Sequence, residues 1–111
     1  FLNHAPADTA LLWDSHHTWR IGGEAPADTW RAIRGRVVHI HVKDSVATPT
    51  ATRPYAYTLC GEGDFPMRSL LDSLARDAWS GVVSLEWERK WHPELPPLDQ
   101  ALSSAAARRW W

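Results

Sequence analysis

Short apolar runs alternate along the chain with segments in which apolar residues recur at helical spacing. Four of the runs predict β-strands, because each is apolar and ends at the polar or turn-forming residues that flank strands. They extend from Ala10 to Asp14, from Arg36 to Asp44, from Tyr55 to Cys60 and from Gly81 to Trp87. The Thr-, Pro- and Ala-rich stretch VATPTATRP, which follows the second run, predicts a loop.

Three segments have the periodicity of amphipathic helices. The first begins at Pro26, a residue suited to the first helical turn, continues through Ile33 and ends at Gly35. A second helix is expected to be capped by Asp64. The apolar stripes of the second and third helices comprise Met67, Leu70, Leu71 and Leu74, and Leu98, Ala101, Leu102 and Ala105, respectively.

This order of strands and helices predicts the fold class. Strands separated by helices of about 10 to 15 residues are typical of parallel β/α units rather than hairpins. Four such units amount to about half of a TIM (β/α)8 barrel, which needs roughly 250 residues. We therefore expect an α/β fold, with residues 1–111 forming a single partial domain and a piece of a longer protein. A small open doubly wound sheet is the alternative.

The composition indicates the class of protein and its cellular location, but it does not identify the function. Of the 111 residues, 44% are hydrophobic and 23% are charged, and the net charge of -1 is unlike that of a nucleic-acid-binding protein. A single cysteine, Cys60, excludes an internal disulfide, and we expect it to be a buried, inert thiol. We find no apolar run of about 18 residues and no signal peptide. The expectation is a cytoplasmic protein without membrane partners.

Three of the predicted strands have one apolar face and one face that becomes ionisable toward the C-terminal end, since side chains alternate along a strand. The residues expected to face helices are Leu11 and Trp13; Val38, Ile40 and Val42; and Val83, Leu85 and Trp87. The opposite faces carry Ala10, Leu12 and Asp14; Val37, His39, His41 and Lys43; and Val82, Ser84, Glu86 and Glu88. A barrel with its site at the C-terminal mouth has this pattern.

Asp14, His41 and Glu86 together form a mixed oxygen and nitrogen donor set. Such a set suits Mn²⁺, Mg²⁺, Co²⁺ or Zn²⁺, and burying these groups without a compensating cation or partner would cost several kcal/mol. By the same alternation His39 and Glu88 point inward, where they either orient the ligands through hydrogen bonds or line the barrel. We interpret four further cationic or titratable residues as ordinary surface charge: Arg20, Arg89, Lys90 and His92.

Four motifs in sequence, WDSHH, HIHVKD, GEGDFP and SLEWERKWHPEL, resemble the C-terminal half of the xylose-isomerase-like TIM barrel superfamily of sugar phosphate isomerases and epimerases. The resemblance covers roughly residues 9 to 102. It implies a divalent metal held by a Glu, an Asp, a His and a Glu from strands four, five, six and eight. Asp14, His41 and Glu86 match the last three of these ligands. The strand-four glutamate has no counterpart in this sequence.

The resemblance also implies roles in catalysis. Glu86 would transfer a substrate proton, His17 would contact substrate and stabilise charge on its oxygen, and Lys43 lies where a polar residue faces the substrate. The predicted function is a metal-dependent sugar or sugar-phosphate isomerase or epimerase that acts on a ketose-like substrate through an enediolate. A polyol or inosose-type dehydratase needs almost the same residues. The second hypothesis is a catalytically inert half-barrel that self-associates through exposed strand edges.

Overall fold

A computed structural model describes residues 2–110 as an α/β fold built around a parallel sheet. No helix among these residues is long and apolar enough to cross a membrane. The elements in chain order are β1 (Leu11–Asp14), α1 (Ser15–Arg20), α2 (Pro26–Ile33), β2 (Val37–Val42), β3 (Asp44–Val46), β4 (Ala56–Thr58), α3 (Met67–Arg76), β5 (Val82–Leu85) and α4 (Leu98–Ala107).

The parallel sheet has the strand order β1-β2-β5, so β2 lies in the centre. Asp14 at the end of β1 is the register partner of His41, and His41 is in turn the partner of Ser84. Just beyond β5, the backbone N–H of Glu86 donates to the carbonyl of Val42 at 2.9 Å. The C-terminal ends of all three strands therefore lie side by side.

An irregularity near the start of β2 corrects one expectation. Leu11 pairs with Val37 but Leu12 pairs with His39, so Val38 is an extra residue in the ladder. A bulge of this kind reverses the alternation on its two sides. Val38 was expected to face the helices and is instead 56% exposed, whereas Val37 packs in the core. Beyond the bulge the predicted alternation holds.

The strand predicted from Tyr55 to Cys60 is not part of the parallel sheet. Its central residues form β4, which pairs antiparallel with β3 in a separate two-stranded sheet. A parallel pair needs a crossover of about a dozen residues or more, usually a helix, and the loop between β3 and β4 turns back without one. Within residues 2–110 the sheet therefore has three parallel strands rather than the four that were expected.

The core lies between the sheet and helices α2 and α3. Trp13 stacks on Trp30 with ring centroids 6.2 Å apart, and Ile40 and Leu70 are fully buried beside them. The predicted stripe of α3 is thus confirmed. The stripe of α4 is only half correct. Its alanines are buried while its leucines are exposed: Ala101 and Ala105 against Leu98 and Leu102.

Two helix starts differ from expectation. Residues 15–20, which lie outside the three predicted helices, form α1, because the Asp14 side chain accepts a hydrogen bond from the backbone N–H of His17 at 3.0 Å and so caps the helix. At α3, by contrast, Asp64 is not the cap. The N-cap is Pro66, which makes no side-chain hydrogen bond, and Asp64 instead accepts from the backbone N–H of Ala47 at 3.2 Å.

Asp44, not Asp64, organises the loop that precedes α3. Its buried carboxylate accepts hydrogen bonds from the backbone N–H groups of four residues: Ser45, Gly61, Gly63 and Phe65, at 2.8 to 3.0 Å. A carboxylate with several backbone donors is well compensated for its burial. This anchor holds the GEGDFP loop against the end of β2.

Candidate functional site

The ammonium group of Lys43 lies among three carboxylates at the C-terminal edge of the sheet. Its Nζ is 3.0 Å from Oδ2 of Asp14, 2.7 Å from Oε2 of Glu86 and 2.7 Å from Oε1 of Glu88. The Lys43 side chain is only 2% exposed, while the carboxylates are partly accessible. Lys43 thus directly follows β2. Its charge is compensated by Asp14 at the end of β1 and by Glu86 and Glu88, which follow β5.

The three ion pairs stabilise the charged forms of these groups. Burial alone would lower the pKa of Lys43, but hydrogen bonds to Glu86, Glu88 and Asp14 raise it above its ordinary value. Burial likewise opposes ionisation of Asp14. Hydrogen bonds from the backbone and ring of His17 and from Lys43 nevertheless lower the pKa of Asp14 to about 2. The pKa of Glu88 is also lowered, since the Lys43 hydrogen bond outweighs burial.

The three predicted metal ligands lie at the C-terminal ends of three adjacent strands: Asp14 ends β1, His41 is the next-to-last residue of β2, and Glu86 directly follows β5. Nδ1 of His41 lies 3.6 Å from Oε2 of Glu86, and both side chains are partly accessible. Two carboxylates and an imidazole are donors that suit a divalent cation. Among residues 2–110, however, no three His, Cys, Asp or Glu side chains converge as a metal site, because Asp14 and Glu86 converge on the Lys43 ammonium. These donors therefore fit a divalent cation in chemical type, whereas two of them compensate the charge of Lys43.

His17 lies at the outer edge of this cluster. Its Nδ1 pairs with the carboxylate of Asp14, which also caps the helix that carries it. The ring is therefore oriented from two sides, by the helix backbone and by Asp14. About half of the side chain is accessible to solvent, so a ligand at the sheet edge can reach the ring.

The two residues predicted to support the ligands have different partners. His39 pairs through Nε2 with Oγ of Ser84 at 2.7 Å, and its ring lies edge-on to that of His41 at 5.0 Å. Glu88 pairs with Lys43 and accepts a hydrogen bond from the Tyr57 hydroxyl at 3.3 Å. Glu88 thus interacts with the cation of the cluster, whereas His39 limits the positions open to the His41 ring.

His16 is a residue that the sequence pattern did not identify. It is completely buried, its Nε2 pairs with Oγ of Ser45 at 2.7 Å, and its Nδ1 has no hydrogen-bond partner within the described part of the chain. Burial, together with the positive charge of Lys43, lowers the pKa of His16 to about 4. Four aromatic rings surround it: Trp19, Tyr55, Tyr57 and Phe65.

The histidine pair of WDSHH was the available signal for this arrangement. Because no helix was predicted at these residues, nothing in the pattern placed either ring inside the protein. On the short helix α1, in contrast, His16 points into the protein and His17 toward the strand ends.

Comparisons with known proteins agree with this architecture. No curated protein matches the chain. A protein-family model described as xylose isomerase-like TIM barrel matches residues 4–110, almost the whole sequence. The family includes sugar isomerases and epimerases. The parallel sheet, with polar residues gathered at its C-terminal edge, is the arrangement expected of a segment of such a barrel. The chain therefore belongs to the xylose isomerase-like TIM barrel family.

Proposed function

We propose that this chain is the C-terminal half of a metal-dependent sugar or sugar-phosphate isomerase or epimerase. The observation that carries the proposal is the alignment of Asp14, His41 and Glu86 at the ends of three adjacent parallel strands. Two of these side chains already surround a positive charge, the ammonium of Lys43. The setting of a cytoplasmic enzyme with a small sugar substrate belongs to the same proposal.

Asp14, His41 and Glu86 would hold Mn²⁺, Mg²⁺, Co²⁺ or Zn²⁺. When bound, such an ion polarises neighbouring carbonyl and hydroxyl oxygens of a sugar and acidifies the adjacent C–H bond. Lys43 need not become unpaired when the other two carboxylates change partner, because Glu88 lies 2.7 Å from its ammonium and is not among the proposed ligands. The cluster can therefore exchange an internal cation for an external one.

The remaining chemistry is proton transfer by side chains. Glu86 is partly accessible and would exchange a proton with a substrate carbon, with a second carboxylate supplied by sequence outside these residues. His17, oriented by Asp14, would hydrogen-bond to the substrate oxygen on which charge develops. In its imidazolium form this ring donates from both nitrogens, one toward Asp14 and one toward substrate. Lys43 would contact substrate once displaced from Asp14 and Glu86.

A specific observation favours the second candidate, an inert half-barrel that self-associates. The face of the sheet opposite the helices exposes three apolar side chains: Leu12, Val38 and Val82. Within residues 2–110 the outer edges of β1 and β5 pair with no further strand, and apolar residues on an open sheet face next to such edges favour association with another chain. A polyol dehydratase remains the alternative within enzymes, since it would use the same ligand set.

Deuterium exchange distinguishes these candidates. The chain is incubated with the diamagnetic ion Mg²⁺ and a panel of ketoses and ketose phosphates in D₂O, and the C–H signals next to the carbonyl are followed by ¹H NMR. We expect these signals to decrease with the unmodified chain and to persist with Glu86→Gln. Glu62→Gln is the matched control, since Glu62 is exposed and pairs with Arg108 rather than with Lys43.

The other outcomes identify the alternatives. Appearance of a dehydrated product would assign the dehydratase. Absence of exchange in a chain that binds Mg²⁺ would refute activity of this polypeptide alone and support the inert half-barrel. Equal exchange by the unmodified chain and Glu86→Gln would overturn the role given to Glu86.

A further inference from the structure

Tyr57 lies on β4, outside the parallel sheet, but its side chain reaches the carboxylate cluster. Its hydroxyl donates to Oε1 of Glu88 at 3.3 Å, and the same oxygen accepts a hydrogen bond from the Lys43 ammonium at 2.7 Å. We propose that Tyr57 is a positioning residue, which fixes Glu88 as the partner that Lys43 keeps when a metal ion binds the other two carboxylates. The inference rests on the proposed function, in which Lys43 contacts substrate.

Of the three carboxylates around Lys43, Glu88 alone is not a proposed metal ligand. The Lys43 side chain is only 2% exposed, and a buried ammonium without a counter-ion is strongly destabilising. One carboxylate therefore has to stay beside it. Glu88 lies two residues from Glu86, however, and its oxygens are also suited to a divalent cation. If its carboxylate turned toward a bound metal, Lys43 would lose its last partner.

The Glu88 carboxylate has neighbours at both of its oxygens, which oppose such a rotation. Oε1 accepts hydrogen bonds from Tyr57 and Lys43. Oε2 lies 3.7 Å from Nε2 of His92, which in turn lies 2.7 Å from NH1 of Arg53. The His92 side chain is 18% exposed, so the interpretation of His92 as ordinary surface charge is wrong. Tyr57 supplies the contact to Oε1 that does not depend on Lys43 itself.

The Tyr57 hydroxyl remains a hydrogen-bond donor in the folded chain. Burial raises the pKa of Tyr57, and both a hydrogen bond with Tyr55 and the charge of Glu88 raise it further. The hydroxyl therefore keeps its proton at neutral pH. The ring is also enclosed, since its centroid lies 5.5 Å from those of Tyr55 and His92 and 5.6 Å from the Lys43 ammonium. The phenol thus has little freedom to turn away from Glu88.

The hairpin formed by β3 and β4 is tied to the rest of the fold, which fixes the position of Tyr57. Tyr57 pairs with Ser45 of β3, and Arg20 of α1 donates to Oγ and the carbonyl oxygen of Ser45 at 2.9 and 3.0 Å. The Arg20 guanidinium also lies 4.2 Å from the ring centroid of Trp19, and its side chain is 16% exposed. The interpretation of Arg20 as ordinary surface charge is therefore wrong. Since α1 directly follows β1, these contacts tie Tyr57 to the strand ends.

The test imitates the loss of two carboxylates without any metal. Asp14→Asn and Glu86→Gln are combined in the full chain, so that Glu88 is the carboxylate left to pair with the Lys43 ammonium. Exchange of the ammonium protons with water is then followed by ¹H–¹⁵N NMR in metal-free buffer with EDTA. The sequence contains two lysines, and the exposed Lys90 provides an internal reference for fast exchange.

We expect the Lys43 protons of this double variant to exchange more slowly than those of Lys90. Adding Tyr57→Phe should accelerate the exchange of Lys43 about tenfold, because Glu88 loses its neutral donor. Thr58→Val is the matched control, since it also removes one hydroxyl from β4 and should leave the exchange rate unchanged. Glu88→Gln should accelerate exchange at least as much as Tyr57→Phe, and the two together no more than Glu88→Gln alone.

Equal exchange rates of Lys43 with Tyr57→Phe and with Thr58→Val would overturn the proposal. Exchange of Lys43 as fast as that of Lys90 in the double variant, or additive effects of Tyr57→Phe and Glu88→Gln, would overturn it as well. The same comparison in Glu86→Gln alone, with the same order of rates expected, covers a double variant that does not fold. Neither metal nor substrate is present, so a chain that binds no metal can still support the positioning role, and the two proposals can fail separately.

Discussion

The ammonium nitrogen of Lys43 lies 2.7 Å from Oε2 of Glu86, and the same carboxylate oxygen lies 3.6 Å from Nδ1 of His41. One oxygen is thus shared between an internal cation and a side chain that is proposed to bind an external one. Because two cations cannot both occupy contact distance to this oxygen without strong repulsion, Lys43 and a divalent metal should compete for Glu86.

Replacement of Lys43 by methionine should reveal this competition. In metal-free buffer Lys43→Met leaves Asp14, Glu86 and Glu88 without their common cation, and we expect it to lower the free energy of unfolding by about 3 kcal/mol. Added Mn²⁺ should then raise the melting temperature of the variant more than that of the unmodified chain, since no ammonium competes for the carboxylates. Circular dichroism melts with and without Mn²⁺ measure both effects.

Lys90→Met is the matched control for this experiment. Lys90 is exposed and lies 5.0 Å from the ring centroid of Trp91, so its replacement also removes one ammonium but leaves the carboxylate cluster intact. Its response to Mn²⁺ should equal that of the unmodified chain. Equal Mn²⁺ stabilisation of Lys43→Met and Lys90→Met would show that Lys43 does not compete with a metal.

Gly63 should tolerate no side chain. A Cβ at this position would overlap Oδ1 of Asp44 and the carbonyl oxygen of Ser45, which belong to β3, the strand that anchors the loop. We expect Gly63→Ala to destabilise the fold by about 1 to 3 kcal/mol in urea unfolding. Gly35→Ala provides the comparison, because a Cβ there meets nothing within 4 Å. If both substitutions have the same effect, the close approach of Gly63 to Asp44 does not constrain the loop.

Cys60 should be unreactive until the protein unfolds. Burial, followed by the nearby negative charge of Asp44, raises the pKa of the Cys60 thiol to about 12. In the folded chain the thiolate is scarce through pH 9, whereas in the unfolded chain it forms near the ordinary pKa of about 8.5. Modification by a disulfide reagent should be at least about a hundredfold slower without denaturant than with it. Rapid modification of the folded chain at pH 8 would contradict this burial.

The faces of the strands followed from the sequence because their two sides differ chemically. Ile40 and Val42 lie on one face of β2, and His41 and Lys43 lie on the other. Only one orientation of the strand therefore buries its apolar face. The bulge in β2 could not be predicted in the same way. Val37 and Val38 have identical side chains, so the pattern does not show that Val38 is an extra residue in the ladder.

The hairpin and the cation cluster depend on partners that are distant in the chain. The segment from Tyr55 to Cys60 has the composition of a parallel strand, and only its pairing with Asp44–Val46 makes it antiparallel. The inward direction of Lys43 was predictable by alternation, but its burial against Asp14 and Glu86 depends on side chains from two other strand ends. The local pattern predicts which face of the strand a side chain lies on, and the assembled sheet determines which residues it contacts.

Calorimetric titration with Mn²⁺ measures whether Asp14, His41 and Glu86 bind one divalent metal ion as proposed. We expect one ion per chain, with affinity reduced about tenfold or more in His41→Ala, a typical consequence of losing a ligand or its support. His4→Ala, which removes an exposed imidazole outside the strands, should bind as the unmodified chain does. Equal affinity in His41→Ala and the unmodified chain, or no binding by the unmodified chain, would refute the proposed metal site.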